Sequence, residues 1–275
     1  MLRSGAFYFI MQRMIKLSLE LKVEDVELHI ESSINKLKHF ISNLTKTGKN
    51  RDLKRASLLS YWIDTYTNYI KNENTFCSED LPKYHRGDVL KVNFGYRVGN
   101  EIGGLHYAIV LDNNNSKKSG VITVVPLVSQ KDGFKNSHYK HSLEVGLYQL
   151  ASKKISQMHE ENSALLLNAA KKLEEGLTWG DEECKKRDSI FQESNRLMIK
   201  YRKNIDRLDI WEKDTNKLKS GSVVDFGQII TISKQKIYEP TNTSDLLYNI
   251  RISGNDMDMI DQKLSLGYLK QKPKV

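Results

Sequence analysis

Hydrophobic positions recur along this chain with two periods, and the switches between them divide it into helical and strand-rich stretches. Residues 22–45 place Ile30, Ile34, Leu37, Ile41 and Leu44 at alternating spacings of four and three, the apolar stripe of an amphipathic helix. A polar turn around Gly48 follows. Leu59, Trp62, Ile63, Tyr66, Tyr69 and Ile70 then repeat the helical spacing, so residues 1–80 read as an N-terminal helical region, a hairpin or small bundle. From Pro82 the texture changes. Short β-branched runs at 88–94, 106–112 and 121–127 predict strands. Between the first two lies GYRVGNEIGG, residues 95–104, whose four glycines suit a mobile loop, and NNNSKKSG, residues 113–120, reads as a hairpin connection.

Helical spacing returns over 149–218. Ile155, Met158, Leu165, Leu166, Ala169 and Leu173 line one face, and Leu197, Met198, Tyr201, Ile205 and Leu208 line another. Gly176 reads as a stop, and Thr178 with Asp181 as a capping box opening the second helix. Acidic and basic residues nearly balance across this stretch, as expected of a helical hairpin that meets solvent on its outer faces. Strand texture resumes at 222–225, 228–232 and 247–252. Ser253 then caps a last helix to about residue 266, with Gly267 as its stop. Neither strand-rich half has enough strands to close alone. The expectation is therefore an α+β chain: a small antiparallel barrel over 81–275, interrupted by a helical insert at 149–218 that a short linker could replace.

Composition narrows the function classes. No apolar run approaches the roughly 20 residues that span a bilayer. The stretch 6–10 is also too short for a signal-peptide core, so a cytoplasmic protein without a membrane partner is expected. Cys77 and Cys184 lie far apart and outside any metal-ligand spacing, which predicts free thiols, no metal site and no cofactor. The net charge of +9 favours a polyanionic partner. The largest basic excess, nine basic against five acidic residues, falls in 81–150. Seven further cations between residues 36 and 55 suit either a solvated surface or an RNA contact.

The run HRGDVLKVNFGYRVGNEIGGLHYAIVLDNN, residues 85–114, resembles the opening of the MazF/PemK toxin family. There an R-G-(D/E)-V strand start leads through a G-x-E-x-x-G loop into a second strand. Arg86, Gly87, Asp88 and Val89 match the first pattern, and Gly99, Glu101 and Gly104 the second. VVPLVSQK at 124–131, SVVDFGQIITISK at 222–234 and ISGNDMDMIDQKLSLGYL at 252–269 follow in the family's order. The resemblance implies an SH3-like (MazF/PemK-like) barrel that forms a homodimer and is neutralised by a cognate antitoxin protein. It also implies metal-independent endoribonuclease cleavage of single-stranded RNA (mRNA), with the 2′-hydroxyl attacking the adjacent phosphate.

The sequence departs from the family at the centre of that chemistry. Where the family has its catalytic arginine after the loop, this chain reads Gly104-Leu105-His106-Tyr107. An alternative arginine and aspartate used by some relatives fall here on Asp225 and Gly227, and Ile230 replaces the arginine of the Q-x-R-T pattern. An imidazole can still act as base or acid near neutral pH. His106 is therefore the first catalytic candidate, although a histidine can equally cap the strand. The family's Ser/Thr after the third strand is retained as Ser129, which can bond the scissile phosphate or simply satisfy backbone. Arg86 and Lys131 are candidate phosphate clamps, Asn100 and Gln228 further RNA contacts, and Gly99, Glu101, Gly103 and Gly104 loop-forming residues. His138 and His141 read as solvated in a polar loop. A barrel that binds RNA or protein without catalysis is the alternative function.

Overall fold

The computed structural model describes residues 22–178 and 184–269, in two compact units, Met1–Lys71 and Asn72–Val275. The stretch 6–10 and the Asp181 half of the expected capping box lie outside the described residues.

The first unit holds helices α1 (Val23–Lys46) and α2 (Asn50–Lys71), joined through Gly48 at φ 64°. The Arg55 guanidinium lies 5.4 Å from the centre of the Phe40 ring, and Trp62 packs against Tyr66 and Tyr69. Two helices offer each other too little facing surface to build a core. No α1 residue is buried, Ile30 and Ile34 stand more than half exposed, and Ala56 is the only buried residue of α2.

The second unit is a mixed α and antiparallel β structure. Its strands are β1 (Val89–Asn93), β2 (Leu105–Val110), β3 (Val121–Ser129), β4 (Lys140–Ser142), β5 (Ser222–Asp225), β6 (Ile230–Ser233) and β7 (Ile237–Glu239). They pair in the order β4-β5-β3-β2-β1-β7, with β6 on the first half of β3 and β5 on its last three residues. Alternation along the strands feeds two cores. Leu90, Val92, Ala108, Val110, Ile122 and Val124 face a pocket of apolar side chains closed by Tyr84, Phe94, Ile232 and Ile237. Val89, Ile109, Val125, Leu127 and Val224 face the helices instead.

The sheet is not closed into the expected barrel. β4 and β7, its two ends, are three residues each and do not pair with one another. The edge of β1 beyond β7 is covered by 250–252, through Val89 N to Ile250 O, Ile252 N to Gly87 O and a bridge between Asp88 and Arg251. The stretch 247–252 read as a strand is thus an irregular edge cover, broken by Asn249 at φ 60°.

Between β4 and β5 stand α3 (Leu147–Thr178) and α4 (Cys184–Thr215), each about 48 Å long at 1.5 Å per residue. Their seam carries a buried Asn204 Nδ2 to Asn162 Oδ1 hydrogen bond of 2.8 Å and a Ser194 hydroxyl donating to the Ala169 carbonyl. Gly176 does not stop the helix. It is buried in the seam, where a Cβ would come within 2.6 Å of the Phe191 ring. The base of the pair is not an appendage: Leu147, Ala151, Ile155, Leu208 and Trp211 belong to the same core as Leu246, Leu247 and Ile250. The last helix, α5 (Gly254–Tyr268), is capped by the Ser253 hydroxyl, which accepts from Asp256 N, and it runs through Gly267 rather than ending there.

Candidate active site

β2 begins and β3 ends at the same end of these two central strands, so Leu105, His106, Val128 and Ser129 come together there. A cavity of about 210 Å³ opens at these strand ends. It is lined by His106, Tyr107, Leu127 and Ser129 from the two strands, and by Leu147, Lys217, Leu218, Lys219, Gly221 and Ser222 from the two ends of the helical insert. The structure therefore brings the two sequence-predicted catalytic candidates to one cavity. The pleat sends their side chains to opposite faces. His106 pairs with Val92 of the inner core, whereas Ser129 has the parity of Leu127, which pairs with Tyr107 on the helix-facing side. A ligand reaching both groups must sit across the strand ends, not on one face.

His106 is half-buried, and this burial lowers its pKa from the ordinary histidine value against the opposing pull of a hydrogen bond to the Gly103 backbone. It is consequently neutral at pH 7, the form that can accept a proton. Ser129 is exposed and pairs across the ladder with Ser222. Next to it, burial raises the Tyr107 phenol to about 12, with Glu239 and Asp214 pushing the same way, so Tyr107 stays a hydrogen-bond donor.

The glycine-rich loop at 95–104 closes over the other face. Phe94 N donates to the Gly104 carbonyl and Gly104 N to the Gly95 carbonyl, both at 2.8 Å. Gly99 and Gly104 have φ of 63° and 81°, and a Cβ on Gly103 would lie 2.8 Å from the Gly95 oxygen, so these positions need glycine. Glu101 pairs with Arg97 at 3.7 Å. Gln228 bolts the loop to the β5–β6 connection, accepting from Ile102 N at 3.1 Å and donating to the Asn100 carbonyl at 3.3 Å. The loop read as mobile is thus laced at its neck and tip. Under it lies a second cavity of about 240 Å³, lined by Phe94, Arg97, Glu101, Ile102 and the 227–230 segment. Arg97 was the sole cation in the loop sequence, which was the signal that could have marked it.

The other candidates fall elsewhere. Arg86 donates to the Leu111 carbonyl and to the Asp261 carboxylate, which ties the start of β1 to α5, and it lines neither cavity. Lys131 is exposed two residues past Ser129 and also lines neither. Asn100 engages Gln228 through its backbone. His138 is exposed, but His141 is a half-buried residue of β4 whose Nδ1 finds no partner among the described residues. The solvated reading fails for it because β4 pairs it to Val224. Among the described residues no cluster of His, Cys, Asp and Glu could hold a metal ion, and Cys77 and Cys184 are both free.

Residues 85–168 match the family model described as the PemK-like, MazF-like toxin of type II toxin-antitoxin systems. Over this segment the chain is PemK/MazF-like. The match runs from the start of β1 into α3 and so contains His106, Ser129 and the glycine-rich loop, and it supports the resemblance read from the sequence. β5 to β7 and α5 lie beyond it. No curated protein gave a match to the chain. No described helix is long and apolar enough to cross a membrane.

Proposed function

We propose that this chain is a toxin of a type II toxin-antitoxin system that cleaves single-stranded RNA without a metal ion, using His106 and Ser129 at the strand ends where β2 begins and β3 finishes. The observation that carries this reading is the single cavity shared by His106, Ser129 and two lysines, inside and beside the PemK/MazF-like segment. A phosphodiester at these strand ends would meet the His106 imidazole from one face and the Ser129 hydroxyl from the other. The neutral imidazole takes the 2′-hydroxyl proton as that oxygen bonds to phosphorus. The bond from phosphorus to the 5′-oxygen then breaks, solvent protonates the leaving oxygen, and a 2′,3′-cyclic phosphate and a 5′-hydroxyl remain. Ser129 donates to a non-bridging oxygen as negative charge builds there. The antitoxin, a protein partner, and a homodimeric assembly belong to the same reading.

Incubation of the purified protein with single-stranded RNA in EDTA tests it: fragments with cyclic-phosphate ends are expected. Removing a positioned proton-transfer group costs about 10²–10⁴-fold. His106→Ala should therefore nearly abolish cleavage while RNA binding persists. One observation favours a second reading, a barrel that binds RNA without cutting it: the hydrogen bond from His106 to the Gly103 backbone is also what a strand-capping histidine makes. RNA binding with no cyclic-phosphate product in the wild type would decide for it.

A further inference from the structure

The cationic partner that the family draws from an arginine after the loop is absent from β2 of this chain, yet the cavity at the ends of β2 and β3 is not without cations. Its outer wall is the segment that leaves α4 and enters β5. That segment is tightly fixed. Leu218 packs on the helix-facing core, and its N–H donates to the Thr215 carbonyl. The Gly221 carbonyl accepts from Gln130 N, and a Cβ on Gly221 would lie 2.5 Å from the Gln130 side chain. Ser222, directly opposite Ser129 in the ladder, accepts Leu147 N with its hydroxyl and Leu143 N with its carbonyl. Lys217 and Lys219 flank the anchored Leu218, and both residues line the cavity. Lys217 shares its charge with Asp214 at 2.7 Å. Lys219 has no ion-pair partner among the described residues.

We infer that Lys217 and Lys219, at the exit of the helical insert, form a phosphate clamp for single-stranded RNA beside Ser129, so that the insert completes the site. This rests on the RNA-directed reading above. Two charged groups at one end of the ligand path neutralise backbone phosphates as the strand enters the cavity. A lysine suits this position because it acts as a point charge on a flexible stem and needs no planar fork. The insert then has a task that its length alone does not explain: its two ends close the wall of the site.

The test measures affinity for a short single-stranded RNA carrying 2′-O-methyl riboses, which cannot supply the attacking hydroxyl, between about 50 and 200 mM salt. Each neutralised phosphate of a single strand contributes about 0.7 to the slope of log K against log salt. Lys217→Gln/Lys219→Gln should flatten the wild-type slope by about 1.4 and Lys219→Gln alone by about 0.7. Lys200→Gln/Lys203→Gln, which removes the same charge from exposed positions of α4, should leave it unchanged. All four positions are exposed, so the fold survives the changes, and matching unfolding midpoints verify it. A wild type that binds and cleaves RNA with an unaltered slope in the double variant overturns the clamp and spares the RNA reading. Equal flattening by the Lys200/Lys203 control also overturns the clamp, because net charge would then explain the effect. A wild type that neither binds nor cleaves RNA removes both.

Discussion

Replacing the helical insert in two different ways separates a removable stalk from a structural base. In the first variant a short Gly/Ser linker replaces 149–218. This deletes Ala151, Ile155, Leu208 and Trp211, all no more than 8% exposed and all in the core that contains Leu246, Leu247 and Ile250. A buried large apolar side chain contributes about 1.5–3 kcal/mol, so three of them with Ala151 amount to about 5–9 kcal/mol before allowance for a compact unfolded state. Lys154 is lost as well. Its ammonium donates to the Leu246 and Tyr248 carbonyls at 2.8 and 2.6 Å and lies 4.7 Å from the Trp211 ring centre. Small domains are stable by only about 5–15 kcal/mol, so this variant should not fold. In the second variant the linker replaces only 163–203, joining Asn162 to Asn204, which are already bonded side chain to side chain. Among the described residues, the buried ones removed are Ala169, Gly176 and Ser194, which lie in the seam between the helices and outside the main core. That variant should lose less than about 1 kcal/mol from its core. Urea unfolding followed by far-UV circular dichroism reads both. Cooperative unfolding of the first variant at a near-wild-type midpoint, or failure of the second to fold, would refute the division.

Further outcomes follow from the site. Burial lowers the His106 pKa, so the ascending limb of kcat/KM for RNA cleavage should have its midpoint below the ordinary histidine value of about 6.5, and His106→Gln should lose that limb. The same depression makes the folded state bind fewer protons than the unfolded one between the two pKa values. The stability it carries is full above about pH 6.5 and is lost as pH falls through the folded pKa. His141 is lowered likewise, by burial first and then by Lys263, so His106→Gln should weaken this acid sensitivity in urea titrations without abolishing it. Arg86→Met should cost about 1–3 kcal/mol of stability through its lost bonds to Leu111 and Asp261 and leave the salt slope of RNA binding intact; a flattened slope would return Arg86 to the RNA path. Gln228→Ala frees Ile102 N and the Asn100 carbonyl and should raise amide exchange across residues 95–104 about tenfold, while unchanged exchange would show that the neck bonds alone hold the loop.

What the sequence disclosed depended on how strongly each element repeats. β1, β2, β3 and β5 alternate apolar and polar residues or carry β-branched runs, and they are found within a residue or two of where the pattern puts them. β4 reads KHS and β7 reads IYE, too short and too polar to announce themselves, and each forms only because a longer neighbour offers an edge. Gly176 misled because glycine at a helix end and glycine at a close crossing look alike in one dimension; only the Phe191 ring across the seam distinguishes them. At the site, the meeting of His106 and Ser129 was legible from strand ends alone. That their side chains leave opposite faces was not legible, because it needed the register that pairs Val92 with His106 and Tyr107 with Leu127. Lys217 and Lys219 carried no local signal. They reach the cavity only because two helices of 32 residues each leave the sheet and return to the strand beside Ser129.

That return explains why a long insertion at this place can be accommodated. The chain leaves at Leu147, whose N–H donates to the Ser222 hydroxyl at 3.0 Å, and comes back at Ser222 itself. Both ends are therefore fixed to one residue, and the cost of closing the intervening loop grows only slowly with its length. The ladder between β3 and β5 need not register how much helix lies between β4 and β5. The cavity does register it, because Leu147 and the 217–222 segment form one wall and β2 with β3 form the other. Ser222→Ala would remove the acceptor for Leu147 N, at a cost of about 1–3 kcal/mol for a buried donor left unpaired, and would loosen that wall where it faces Ser129. RNA affinity should then fall together with stability, whereas Lys217→Gln/Lys219→Gln should lower affinity alone. A Ser222→Ala protein with reduced stability and undiminished RNA affinity would show that the insert's attachment and the ligand path are independent.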